Sequence, residues 1–184
     1  VIDDGFYYDF FTEKAFTEAD LVLFEEKMDE IISKKVSFIP SILTRNDALK
    51  TFSDLNEKFK LEIINDLPEE EDITIYKQGS WFDLCRGPHA PNSSFIKSFK
   101  LLSVAGSYWR GDEKRESLQR IYGTAFFNKK DLKKHLEMIE EAKKRDHRKL
   151  GKELNLFSIT DEIGPGLVLW HPKGSTIRNV IENY

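Results

Sequence analysis

The stretch Trp81–His89, WFDLCRGPH, decides how this chain is read. It holds the only cysteine of the 184 residues, Cys85, and one of the four histidines, His89. Asp83 stands two residues before the cysteine and Arg86 directly after it. Gly87 and Pro88 separate Cys85 from His89, and Gly-Pro marks a turn, so His89 is predicted to fold back toward Cys85. Alternation through ITIYKQGSWFDLC (73–85) predicts a strand entering that turn. A thiol, an imidazole and a carboxylate projecting from a strand end suit metal ligation or proton transfer. The plainer alternative is a buried cysteine beside a hydrogen-bonded histidine.

Other blocks stand in order around this one. GFYYDF (5–10) precedes it; Pro91-Asn92, GSYWRGD (106–112), LQRIYGTAF (118–126) and AKKRDHRKLG (142–151) follow. With DLCRGPH they resemble the bacterial-type threonyl-tRNA synthetases, collinearly from residue 1 to residue 184. The resemblance implies an α+β fold, a mixed or antiparallel sheet with packed helices of the threonyl/alanyl-tRNA synthetase editing-domain type, over 1–127. A linker helix over 128–154 and the opening of a class II catalytic domain over 155–184 are implied after it. The chain is then expected to be a fragment, truncated at both ends.

Composition sets outer bounds. A hydrophobic content of 40%, with 14 Phe, supports a packed core. One cysteine excludes an intrachain disulfide and fits a reducing compartment, so a cytoplasmic setting is expected. No apolar run approaches the roughly 18–20 residues needed to cross a membrane. No signal peptide is visible, and the absence of a starting Met implies that the native N-terminus is missing. The net charge of −4 argues weakly against nucleic-acid binding, but its distribution is uneven. Residues 129–152 carry ten Lys/Arg against five Asp/Glu, a net +5, which leaves −9 for the rest. Such a segment is either a phosphate footprint or a solvated helix face laced with ion pairs.

Along the chain, GFYYDFF (5–11) reads as a strand. Thr17 with Asp20 reads as a capping box for an amphipathic helix to Lys35. VSFIPSIL (36–43) reads as a strand that Pro40 confines to an edge or a bulge. Asn46 is expected to cap a helix to Phe52, and Glu57–Asn65 to form another with Lys60 near its start. Residues 97–109 and 118–127 are predicted to pair as an antiparallel hairpin, with a bend at Gly106. From Lys129 to Leu154 the helical spacing predicts one helix of about 25 residues, with a thin apolar stripe of the kind that bridges domains. Gly164-Pro165-Gly166 marks a turn, and Ser175 is expected to cap a last helix.

The resemblance also implies a chemistry. Threonine and serine differ by one methyl group, worth only about 1–3 kcal/mol of discrimination, so a second site that hydrolyses seryl-tRNA(Thr) supplies the missing accuracy. It implies that Cys85 and His89 are two of four polar pocket residues, the others being a His-x-x-x-His pair that this sequence lacks. Asp83 is implied to bind the amino group of serine, Lys60 to activate water or steady the oxyanion, and Tyr8 to lie near the ribose. Cys85 and His89 would ligate metal only together with that missing pair. Lys133, Lys134, Lys143, Lys144, Arg145, Arg148 and Lys149 are the candidates for tRNA phosphate contacts. The parent is implied to join threonine to tRNA(Thr) as a homodimer, using ATP, Mg²⁺ and one catalytic-domain Zn²⁺; none of these cofactors is expected on this segment. Two rival readings are a catalytically silent tRNA-binding module and a free-standing aminoacyl-tRNA deacylase, though GSYWRGD and the class II start argue against the second.

Overall fold

The computed structural model describes residue 2, residues 5–164 and residues 166–184; Pro165, at the centre of the turn signal noted above, lies outside them. Two compact units emerge, Val1–Lys129 and Lys130–Tyr184.

The first unit is α+β, with two antiparallel three-stranded sheets. In one, the central strand β6 (Ser117–Phe126) pairs with β1 (Phe6–Phe10) and with β5 (Ser98–Tyr108). Helix α1 (Glu18–Ser33) packs on it, burying Leu21 against Leu101 and Ile121, with Phe6, Phe16, Phe24, Met28 and Val104 around them. The expected capping box is present: the Thr17 hydroxyl accepts from Asp20 N, and Asp20 Oδ2 accepts from Thr17 N at 2.7 Å. The expected hairpin forms, but its irregularity is between Leu101 and Ser103 rather than at Gly106, which stays in register with Gln119. The cause is local, because Glu25 Oε1 on α1 accepts from Leu101 N at 2.8 Å and Glu25 Oε2 from Lys100 Nζ at 2.8 Å.

The second sheet orders β2 (Phe38–Leu43), β3 (Ile73–Gln78) and β4 (Trp81–Leu84), with β3 central. Pro40 sits on the edge strand β2, where its missing N–H costs no ladder bond. One sheet face carries Ile73, Ile75, Phe82 and Leu84 onto helices α2 (Arg45–Asp54) and α3 (Lys58–Asp66), around Ala48, Phe52 and Ile64. Thr44, not Asn46, caps α2, its hydroxyl accepting from Asp47 N at 3.2 Å. Arg45 reaches across to donate to the carbonyls of Ile64 and Leu67, holding the end of α3. The stretch 73–85 is therefore two strands and not one. Gly79, at φ +64°, and Ser80 make a two-residue hairpin loop between them.

In the second unit the expected single helix is two, α4 (Lys129–Lys144) and α5 (His147–Glu153). Asp146 breaks the run: it leaves helical backbone, and its side chain accepts from Arg148 N at 2.8 Å as the cap of α5. Beyond it, β7 (Phe157–Ser158) pairs with β8 (Leu169–Trp170), and α6 (Pro172–Glu182) follows. Pro172 opens α6 behind His171, so Ser175 lies inside the helix instead of capping it. Among the described residues no helix is long and apolar enough to cross a membrane.

Candidate active site

Strand alternation sorts the motif. Phe82 and Leu84 point into the core, so Asp83 and Cys85 share the opposite face of the β2-β3-β4 sheet. Tyr76 stands across from Asp83 in the ladder, and Cys85 N donates to Thr74 O at 3.0 Å. The turn then returns His89 as expected, with Nε2 2.9 Å from Cys85 Sγ. His89 is held from the side by Tyr76, ring centroids 4.1 Å apart, and by Phe38 at 5.7 Å. Gly87 makes this possible. Its φ is +69°, and a Cβ there would collide with the Tyr76 ring and hydroxyl.

Asp83 is the meeting point of three elements. Lys60, from α3, places Nζ 2.8 Å from Asp83 Oδ1 and 3.0 Å from Oδ2. Tyr8, from β1, donates its hydroxyl to Oδ2, and Lys60 Nζ stands 3.5 Å from the same hydroxyl. The Lys60 and Asp83 side chains are only 21% and 16% exposed, so water screens their pairing less than it would a surface pair. Leu84 N donates to Asp83 Oδ1 at 2.7 Å, fixing the carboxylate further.

Tyr8 is 44% exposed overall, but its phenol titrates well above the ordinary 10.0. Burial of the phenol raises it first, then the hydrogen bond and negative charge of Asp83, with Glu57 and Cys85 adding to the effect. At neutral pH Tyr8 is accordingly a hydrogen-bond donor and not a base.

The five proposed site residues fall in two groups: Tyr8, Lys60 and Asp83 in mutual contact, and Cys85 paired with His89 two residues further on, just past the end of β4. Tyr76 and Phe38 were not foreseen. The signal was available in Gly79-Ser80, a hairpin signature that sets Tyr76 opposite Asp83. Among the described residues no three His, Cys, Asp or Glu side chains could hold a metal ion, and Asp83 is already committed to Lys60 and Tyr8.

The basic candidates behave differently. Lys133 pairs with Glu137, Lys143 with Glu140, Lys144 and Arg145 with Glu141, Arg148 with Asp146, and Lys149 with Glu153. These six cations are 57–79% exposed. At about 3.6 residues per turn, Lys133, Lys134, Lys144 and Arg145 share one arc of α4, while Lys143 falls on the side of Leu132, Leu136 and Ile139. The break at Asp146 removes Arg148 and Lys149 from that arc.

Residues 73–122 match the family described as the threonyl and alanyl tRNA synthetase second additional domain. Over 184 residues the chain is 54% identical to the threonine–tRNA ligase of Bacillus velezensis and 55% identical to that of Legionella pneumophila. It is 52% identical to threonine–tRNA ligase 1 of Bacillus subtilis over the same span. The chain belongs to the bacterial threonyl-tRNA synthetase family. All of the chain is covered in these comparisons, but it spans only 29% of the length of each relative. The second-additional-domain match includes Asp83, Cys85 and His89, whereas Tyr8 and Lys60 lie outside it and reach the site through the fold.

The raised phenol gives a direct test. Its neutral, hydrogen-bonded form stabilises the fold below pH 10, and that contribution fades as pH climbs through the raised value. Asp83→Asn removes the negative charge but leaves the burial, so Tyr8 should titrate lower than in the parent yet still above 10.0. Absorbance titration at the tyrosinate band, with Tyr8→Phe as the blank, reads this; an unmoved Tyr8 would contradict the assigned contact.

Proposed function

We propose that this chain is the proofreading portion of a threonine–tRNA ligase, whose substrate is seryl-tRNA(Thr) and whose reaction is hydrolysis of the ester at the tRNA 3′ end. The observation that carries the reading is the junction of Lys60, Asp83 and Tyr8 beside the Cys85–His89 pair. Lys60 occupies on Asp83 the position that an α-ammonium group would take. A seryl ester that places its ammonium on Asp83 displaces Lys60, and the freed lysine can steady the oxyanion or orient water. Cys85 and His89 supply a polar pair for holding water and passing a proton. Tyr8, kept protonated, donates toward the ribose.

The whole enzyme would use ATP and Mg²⁺, with Zn²⁺ in its catalytic domain; no residue of this chain is assigned to any of them. Residues 155–184 would open the class II domain. The exposure of Ile177, Val180 and Ile181 on α6 supports this, as a larger domain would cover them. The arc of Lys133, Lys134, Lys144 and Arg145 would meet the tRNA acceptor arm, exchanging weak exposed ion pairs for phosphate. Charge reversal of Lys133, Lys144 and Arg145 in the full-length enzyme should weaken tRNA binding and flatten its salt dependence. An unchanged salt slope would leave α4 a solvated helix.

A silent tRNA-binding module is the second reading, favoured by one feature: the pair Cys85–His89 is only half of the polar set that the family resemblance implies. Release of serine from pre-charged seryl-tRNA(Thr) separates the two. In the full-length enzyme, Cys85→Ala and His89→Ala should each slow release by about 10²–10⁴-fold while threonylation, carried by another domain, continues. The isolated chain should be far slower than the parent, because groups in one site act non-additively. Normal release by both variants, or joint loss of release and threonylation, would refute the assignment.

A further inference from the structure

The loop between β5 and β6 is not part of the site, yet its polar side chains converge on the helix that carries Lys60. Trp109 Nε1 donates to Glu62 Oε2 at 3.0 Å. Arg115 forks onto the same carboxylate, at 3.1 Å to Oε1 and 2.8 Å to Oε2. Arg110 stands 3.6 Å from Glu62 Oε1 and pairs with Asp66. Lys58 Nζ donates to Glu116 Oε1 at 3.0 Å. The Trp109 ring lies against Phe59, centroids 4.5 Å apart.

Helical spacing explains the effect on the site. Lys58, Glu62 and Asp66 form one i, i+4, i+8 stripe along α3, and the loop grips that stripe. Lys60 projects from the other side of the helix, toward Asp83. Helix α3 has nine residues and no side-chain cap at its N-terminus, so packing and not propensity must set its position. Ile64 and Arg45 secure its C-terminal half. At the N-terminal half, Lys58, Phe59 and Glu62 are all engaged by the loop. Arg110 adopts φ +56°, a left-handed backbone that a non-glycine residue disfavours and that these contacts sustain.

We propose that this loop is a clamp that sets the reach of Lys60 to Asp83, and that Glu62 is its hub, a positioning residue for the proofreading reaction. The effect on rate rests on the proofreading reading; the placement of Lys60 does not. Two measurements on the full-length synthetase separate them. The first uses no substrate: amine acylation by acetic anhydride, read by mass spectrometry at Lys60 against exposed Lys27. Glu62→Ala should raise labelling of Lys60 relative to Lys27, and so should the milder Trp109→Phe, which keeps the aromatic packing and loses one hydrogen bond. Glu62→Gln, which retains an acceptor for Trp109, should fall between parent and Glu62→Ala.

The second measurement is serine release from seryl-tRNA(Thr). Glu62→Ala should slow it by up to about 10²-fold, the scale of a misplaced catalytic group, mainly in kcat. In a Lys60→Ala background the same substitution should cost almost nothing further. A purely structural role for Glu62 would give full, independent losses in both backgrounds, and that outcome, or unchanged labelling of Lys60 in both Glu62→Ala and Trp109→Phe, overturns the clamp. If Lys60 labelling responds but the parent releases no serine, the clamp stands and the proofreading reading fails.

Discussion

One carboxylate ties the functional part of this chain together. Asp83 leaves β4 on the face away from the core, and there it takes Lys60 from α3 and Tyr8 from β1. The two sheets of the first unit are not continuous with each other, so this junction joins elements that backbone pairing does not. Lys60 meets this carboxylate as a cation and Tyr8 as a neutral hydroxyl donor, both with charge-assisted hydrogen-bond geometry. The same arrangement holds the phenol neutral. Both partners are also groups that an aminoacyl ester can imitate, an ammonium and a hydroxyl, so the interaction that organises the site resembles the one a substrate would make.

The parts of this arrangement differ in how far the sequence reveals them. The Cys85–His89 pair was legible because it is local: a Gly-Pro turn four residues long carries its own geometry. The capping box at Thr17 and Asp20 was legible for the same reason. Tyr8 and Lys60 were not readable from pattern at all. They lie 75 and 23 positions from Asp83, and only family resemblance pointed to them. Tyr76 stays hidden as long as 73–85 reads as one strand. The core-facing positions change parity across Gly79-Ser80, from Ile73 and Ile75 to Phe82 and Leu84, and this marks a hairpin. The clamp around Glu62 has no sequence signature. Its residues look like ordinary surface charges until the β5–β6 hairpin sets Arg115 and Trp109 beside α3.

The helix that follows illustrates a different limit. Apolar spacing from Leu132 to Leu150 is continuous enough to suggest one long element. Asp146 interrupts it because a short carboxylate offers the backbone a capping bond that competes with the helix interior. Basic residues that the sequence sets in one run therefore belong to two helices with different faces. Exposed ion pairs hold most of them, and such pairs are readily exchanged for other anions.

Binding of a non-hydrolysable substrate analogue tests the central claim most directly. The seryl amide of 3′-amino-3′-deoxyadenosine keeps the ammonium, hydroxyl and ribose of the natural ester while removing the cleavable bond. Titrated into the isotope-labelled 184-residue chain and followed by NMR, it should shift the resonances of Tyr8, Lys60, Asp83, Cys85 and His89 together, with one affinity. Asp83→Asn should weaken the responses of Tyr8, Lys60, Cys85 and His89 in common. Saturating shifts confined to other residues, or binding that Asp83→Asn leaves intact, would contradict the account.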